Sequence, residues 1–212
     1  MTRRAVFLDR DGTLVEPRHY PSRPQDLKLI PGVAAELRDL RAADYKLIVI
    51  TNQSGLARGL FTEIDLELMH QHLADELRAE GVELDAIYYC PHHVDGIVPH
   101  LAIDCDCRKP RPGLLKRAAI EEDVDLERSW FVGDILDDVE AGRRAGCRTV
   151  LVDLGTESLP ADPWREPDYV ARDTVHALRI VRFSGRAAAP IETDYRPASW
   201  REPVLGGVHG SH

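Results

Sequence analysis

The sequence predicts a three-layer α/β/α sandwich built on a central parallel sheet. Three observations carry that expectation. Short, almost uninterrupted apolar runs recur at Ala5–Leu8, Lys46–Ile50, Asp85–Tyr89, Trp130–Val132 and Thr149–Val152, the pattern of strands buried on both faces. Segments with helical spacing separate them, and strict strand–helix alternation implies parallel strands with right-handed crossovers. Small polar and acidic residues follow the first, second and fourth runs directly, where ligands of open α/β sheets bind.

Taken in order, Ala5–Leu8 ends in Asp9-Arg-Asp-Gly-Thr13. Two carboxylates one residue apart repel each other unless a cation neutralises them, and a hard ion such as magnesium suits oxygen ligands. Gly12 lets the chain turn tightly there. Pro17, Tyr20, Pro21 and Pro24 mark a loop able to fold back over this strand end. Pro31-Gly32 opens a helix with Val33, Leu37 and Leu40 on one face. The second strand ends in Thr51-Asn-Gln-Ser-Gly55. Thr62 with Asp65 forms a helix-start signal, and Leu66, Met69, Leu73 and Leu77 make an amphipathic stripe up to Gly81. The third strand runs into Cys90-Pro-His-His93, and from there to Pro112 no periodicity appears. A loop of ~20 residues inside a compact domain needs an organiser. Helices over Pro112–Glu122 and Val139–Ala145 flank the fourth strand, and Asp168–Ala171 with Thr174–Val181 adds a last short strand and helix. His70, His72 and His100 lack partners at metal spacing and read as solvent-exposed; Cys147 reads as core.

At 212 residues the chain suits one domain, placed at 1–182, with a non-periodic tail over 183–212 able to pack Tyr195 and Trp200 against it. The balance of 27 basic and 36 acidic residues, net −9, argues against nucleic acid or an anionic membrane as the main partner. No run approaches the ~18–20 apolar residues of a membrane span, and Met-Thr-Arg-Arg leads straight into the first strand. A cytoplasmic protein is expected; nothing sets its oligomeric state, and a monomer fits.

Two constellations carry chemistry. Asp9 and Asp11, then Thr51 and Asn52, then Asp134 stand at three strand ends. With Lys109 they supply what phosphoryl transfer needs: a nucleophile (Asp9), an acid/base (Asp11), and donors to the phosphoryl oxygens (Thr51, Lys109). Magnesium would be held by Asp9, Asp134 and the backbone carbonyl of Asp11. Asp138 taken alone reads as a helix cap. The second constellation, Cys90-x-His92 with Cys105-x-Cys107, suits a tetrahedral structural zinc that would order the loop 90–110, with His93 as the competing ligand.

The order Asp-x-Asp-Gly-Thr, Thr51-Asn52, Lys109 and Gly133-Asp134-x-x-x-Asp138 resembles the four motifs of the haloacid-dehalogenase-like (HAD) phosphohydrolases. Asp9-Arg-Asp-Gly-Thr13, Thr51-Asn-Gln-Ser-Gly-x-Ala-Arg-Gly59, Tyr89-Cys-Pro-His92 and Cys105-Asp-Cys-Arg-Lys-Pro110 resemble the heptose-bisphosphate phosphatases within it, with histidinol-phosphate phosphatases as neighbours. The resemblance spans roughly Arg4–Val181. It implies a Rossmann-like fold without a large cap domain and a magnesium-dependent phosphatase acting on a small phosphorylated metabolite. It also implies substrate contacts from Tyr20, Asn52, Gln53, Ser54 and Arg108, and the zinc loop at its base. Arg58 reads equally as a ligand for a second phosphate or as a surface arginine. Ile135 departs from the family, which often carries lysine there. A catalytically idle, zinc-ordered binding protein is the alternative of another class.

Overall fold

The computed structural model of the chain describes residues 2–184 and 195–200. Six strands, β1 (Arg4–Leu8), β2 (Tyr45–Asn52), β3 (Ala86–Cys90), β4 (Trp130–Gly133), β5 (Arg148–Val152) and β6 (Tyr169–Ala171), form one parallel sheet in the order β3-β2-β1-β4-β5-β6. Five helices connect and cover them: α1 (Val33–Ala42), α2 (Glu63–Ala79), α3 (Gly113–Glu121), α4 (Leu136–Ala145) and α5 (Thr174–Phe183).

The alternation of side chains along β1 divides the interior in two. Val6 and Leu8 enter a core with Val33 and Leu37 of α1, Leu66 and Met69 of α2, and Leu178 of α5. Ala5 and Phe7 face the other way, into a core with Leu114, Leu115 and Ala118 of α3 and Ala141 of α4. This is the three-layer arrangement the sequence predicts. Among the described residues no second domain is inserted as a cap, and no helix is long and apolar enough to cross a membrane.

Strand order reverses at β1, whose neighbours are β2 and β4. Crossovers therefore leave on opposite faces there, opening a crevice at the carboxyl ends of β1 and β4. The loop after β3 is tied down at its middle: the Ile97 and Val98 amides both donate to the Ala57 carbonyl, at 2.8 and 3.0 Å.

Three sequence expectations need correction. Helix α4 begins at Leu136, not Val139, because Asp137 and Asp138 sit in its first turn, where carboxylates complement the exposed amides and dipole. His70 is buried rather than exposed, since it follows Leu66 by four residues and so shares the inward stripe of α2. His72 is half-buried, while His100 is exposed as expected. Within the segment 183–212, the Tyr195 hydroxyl donates to Asp153 Oδ2 at 2.7 Å and Trp200 Nε1 to the Glu157 carbonyl at 3.2 Å. Both rings pack against Leu136, Val139, Leu151 and Val170. Residues 185–194 and 201–212 of that segment lie outside the described residues.

Candidate active site

The first strand delivers Asp9 into the crevice. Its amide donates to the Val132 carbonyl at 2.9 Å, which fastens the nucleophile candidate to β4 as well as β1. Gly12 holds φ +84°, and a Cβ there would sit 2.3 Å from Asp134 Oδ2. Only glycine lets the turn close against the carboxylate arriving from β4.

Lys109 comes from the loop after β3 and reaches the same point. Its Nζ donates to Asp9 Oδ1 at 2.6 Å and to the Ile50 carbonyl at 3.0 Å, and lies 2.6 Å from Asp138 Oδ1. All three charged side chains are almost inaccessible. The backbone of Lys109 is gripped by Asn52, whose side-chain amide donates to the Lys109 carbonyl (3.2 Å) while its oxygen accepts from the Lys109 amide (3.1 Å). Asn52, expected to touch substrate, also holds the Lys109 backbone through both its side-chain nitrogen and its oxygen.

Asp9, Asp134 and Asp138 place carboxylate oxygens within 4.8 Å of one another. Burial pushes Asp9 up to about 7 and Asp134 up to about 8, with neighbouring carboxylates adding to both shifts; the Lys109 charge opposes them without cancelling them. Asp138 is raised as well, again chiefly by burial. Burial alone would lower the Lys109 ammonium, but Asp138 and Asp9 reverse this and hold it charged. Three acids facing one lysine are short of positive charge, and oxygen-only donors fit a hard divalent cation such as magnesium. Asp138 joins this group although its sequence pattern read as a cap. It does cap, accepting from the Ile135 amide at 3.3 Å, while its other oxygen meets Lys109. The available signal was its position one helical turn after Asp134.

The Asp11 carboxylate stands outside the group. Its Oδ2 accepts from Arg10 Nε (3.1 Å), Arg10 Nη2 (2.8 Å) and Gln53 Nε2 (3.2 Å), and Arg10 is fully buried. Gln53 also accepts from Arg10 at 3.0 Å and donates to Thr51 Oγ1 at 2.8 Å. Gln53 therefore links the acid/base candidate to the phosphoryl donor Thr51 and spends its amide inside the protein. Arg10 was missed because a residue between two acids gives no periodic sign of which way it points. Asp11, Tyr20, Asn52, Gln53 and Ser54 line one open cavity of about 190 Å³. Tyr20 holds φ 47°, a left-handed conformation uncommon for a bulky residue. Arg58 Nη2 lies 3.1 Å from His93 Nε2 and its guanidinium 6.0 Å from the Tyr20 ring; Arg108 Nη1 donates to the His92 carbonyl at 3.3 Å. Burial, then the charges of Arg108 and Arg58, depress the basicity of His93.

The Cys90, His92, Cys105 and Cys107 side chains converge as the spacing predicts, and His93 does not join them. Sulfur–sulfur separations are 3.2, 3.3 and 3.6 Å, and His92 Nδ1 lies 3.2 Å from Cys107 Sγ. These are far beyond the ~2.05 Å of a disulfide. A tetrahedron with zinc–sulfur bonds of about 2.3 Å has edges of about 3.8 Å, close to what the four donors form. Burial pushes the Cys90 and Cys107 thiols up, so thiolate here requires a cation.

A HAD-hydrolase-like family model matches residues 106–177. The chain is 44% identical over 144 residues to D-glycero-β-D-manno-heptose-1,7-bisphosphate 7-phosphatase of Rhodopseudomonas palustris, covering 68% of this chain and 80% of that protein. It is 38% identical over 181 residues to the protein of that name from Pasteurella multocida, covering 85% and 97%. Among solved structures it is similar to the D,D-heptose 1,7-bisphosphate phosphatase of B. bronchiseptica complexed with magnesium and phosphate. There the TM-score is 0.70 and the identity 33%, with 83% of this chain and 96% of that one covered.

Proposed function

The chain belongs to the HAD phosphatases, enzymes that hydrolyse phosphoric monoesters, and from that premise we propose that it removes the 7-phosphate of D-glycero-β-D-manno-heptose 1,7-bisphosphate in the cytoplasm. The observation that carries the chemistry is the meeting of Asp9, Lys109, Asp134 and Asp138 at the switch point of the sheet. The substrate rests on the similarity to proteins of that name, which reaches 97% of one relative's length.

In this reading Asp9 attacks phosphorus and the phosphate–sugar bond breaks, leaving an aspartyl-phosphate. Asp11 gives its proton to the departing sugar oxygen, then takes one from the water that attacks the aspartyl-phosphate, so inorganic phosphate leaves and Asp9 is restored. Lys109 and the Thr51 hydroxyl donate to the phosphoryl oxygens as charge builds on them. A magnesium ion held by Asp9, Asp134 and the Asp11 backbone carbonyl, with Asp138 in reach, would keep the buried acids ionised and lessen repulsion between Asp9 and the phosphate. Arg10 and Gln53 fix the direction of Asp11. Tyr20, Ser54, Arg58 and Arg108 surround the sugar and its second phosphate. The four zinc ligands Cys90, His92, Cys105 and Cys107 anchor the loop that presents Arg108 and Lys109. The catalytic unit is residues 1–182, with 183–212 appended.

The test is phosphate release from heptose 1,7-bisphosphate beside histidinol phosphate, with magnesium and after chelation. Fast, magnesium-dependent release from the 7-position alone supports the reading. Turnover of histidinol phosphate in preference to the bisphosphate overturns the substrate; activity that survives Asp9→Asn overturns the mechanism.

A further inference from the structure

The opposite end of the sheet carries a pattern that the phosphatase chemistry does not use. Five strands begin, in spatial order β2, β1, β4, β5 and β6, with Tyr45, Arg4, Trp130, Arg148 and Tyr169. Aromatic and arginine residues alternate across the row. The register places them on one face: Arg4 pairs with Tyr45, Val6 with Trp130, Trp130 with Arg148, and Val150 with Tyr169. Since residues two apart share a face, Arg4 aligns with Val6 and Arg148 with Val150.

The guanidinium of Arg4 lies 4.0 Å from the centre of the Tyr45 ring, and that of Arg148 lies 4.0 Å from Trp130 and 5.6 Å from Tyr169. Stacking fixes the plane of each guanidinium and leaves its N–H edge for an acceptor. Arg4 uses one nitrogen on the Ala43 carbonyl at 2.6 Å, and Arg148 one on the Tyr169 hydroxyl at 3.2 Å. Neither forms an ion pair with a carboxylate among the described residues, unlike Arg182 beside them, which is bound to Glu36 and Asp39. Arg4, Arg128, Trp130 and Arg148 line one cavity of about 200 Å³, whose sole acidic lining residue is the exposed Glu127. In a chain of net charge −9, this is a local excess of fixed positive charge at a concave surface.

We propose that this row is an anion site that takes a phosphoryl group, free or as a small monoester. Planar guanidiniums held rigidly on aromatic faces match the bidentate geometry of phosphate, and little side-chain entropy remains to be lost on binding. The site lies at the amino ends of the strands, about 15 Å from the catalytic crevice by the length of a five-residue strand. A ligand here is therefore distinct from one in the active site.

The probe is the indole N–H resonance of Trp130 in the intact protein, one of three such signals. Inorganic phosphate and methylphosphonate, an uncleavable monoester mimic, are each titrated against sodium chloride of equal ionic strength. A saturable shift of the Trp130 signal, absent with chloride, is expected. It should be lost in Arg4→Gln/Arg148→Gln and clearly weakened in Arg148→Lys, which keeps the charge but not the planar fork, with phosphatase activity unchanged as the check that each variant is folded. Saturation by phosphate but not phosphonate identifies the free ion as the ligand. No saturable shift at tens of millimolar of either probe, an equal shift with chloride, or a shift that survives in the folded double variant overturns the proposal.

Discussion

Replacing Lys109 with methionine tests how the buried charges hold one another. Lys109 Nζ sits 2.6 Å from both Asp9 and Asp138, and no cationic side chain is bonded to these carboxylates in its place among the described residues. Methionine fills similar space but leaves Asp9, Asp134 and Asp138 within 4.8 Å of one another with no counter-charge. Breaking a buried pair costs about 3–5 kcal/mol, a large share of a typical stability of about 5–15 kcal/mol. The acids can escape part of that cost by taking up protons. Even with Lys109 present Asp9 is raised to about 7 and Asp134 to about 8, and both rise further without it. A carboxyl whose folded pKa is raised is stabilising at low pH and loses that contribution as pH climbs toward the folded value. The variant should therefore lie close to the wild type near pH 5 and fall steadily below it toward about pH 8, by about 3–5 kcal/mol. Chemical denaturation of the magnesium-free proteins across that range reads the difference. Catalysis should fall about 10²–10³-fold in kcat, the usual loss for one preorganised donor. A stability difference independent of pH, or one that shrinks as pH rises, would refute the account.

Other perturbations follow from single contacts. Asn52→Ala removes both hydrogen bonds to the Lys109 backbone, a loss of about 2 kcal/mol, and should lower kcat more than it raises KM; an effect on KM alone would return Asn52 to direct substrate contact. Burial, then the Arg10 charge, depresses the His70 imidazole from 6.5 to about 3, so its contribution is complete above about pH 6.5 and is lost as pH falls toward 3. Wild type should lose about 2 kcal/mol more than His70→Met between about pH 6.5 and 5, because the raised carboxyls act alike in both proteins and cancel from the difference; parallel denaturation curves would contradict the burial of a neutral imidazole. Cys107→Ser breaks the convergence of Cys90, His92 and Cys105 and should abolish bound zinc, lower Tm by several degrees and reduce activity by loosening Lys109 two residues away. Retained zinc by elemental analysis would show that the ligand set is otherwise.

Much of this protein is legible in one dimension. Continuous apolar runs specify strands buried on both faces because burial is a property of each residue in turn, and helical spacing at Leu66, Met69, Leu73 and Leu77 specifies an inward stripe for the same reason. The polar residues after three strands mark the functional end of the sheet, since a parallel topology brings all carboxyl ends to one edge. Paired cysteine and histidine spacings declare the convergence at 90–107. Tertiary structure alone decided how charges are shared. Asp138 completes the acidic group only because Lys109, arriving on a loop from the far side of β2, spans it and Asp9. Arg10 is buried because the strand end turns it toward Asp11 and Gln53 rather than solvent. Tyr45, Arg4, Trp130, Arg148 and Tyr169 lie as far as 165 positions apart in the chain, and they form a row only through strand order and register. Periodicity records which residues are buried; which buried groups meet depends on how strands cross, and no local pattern encodes that.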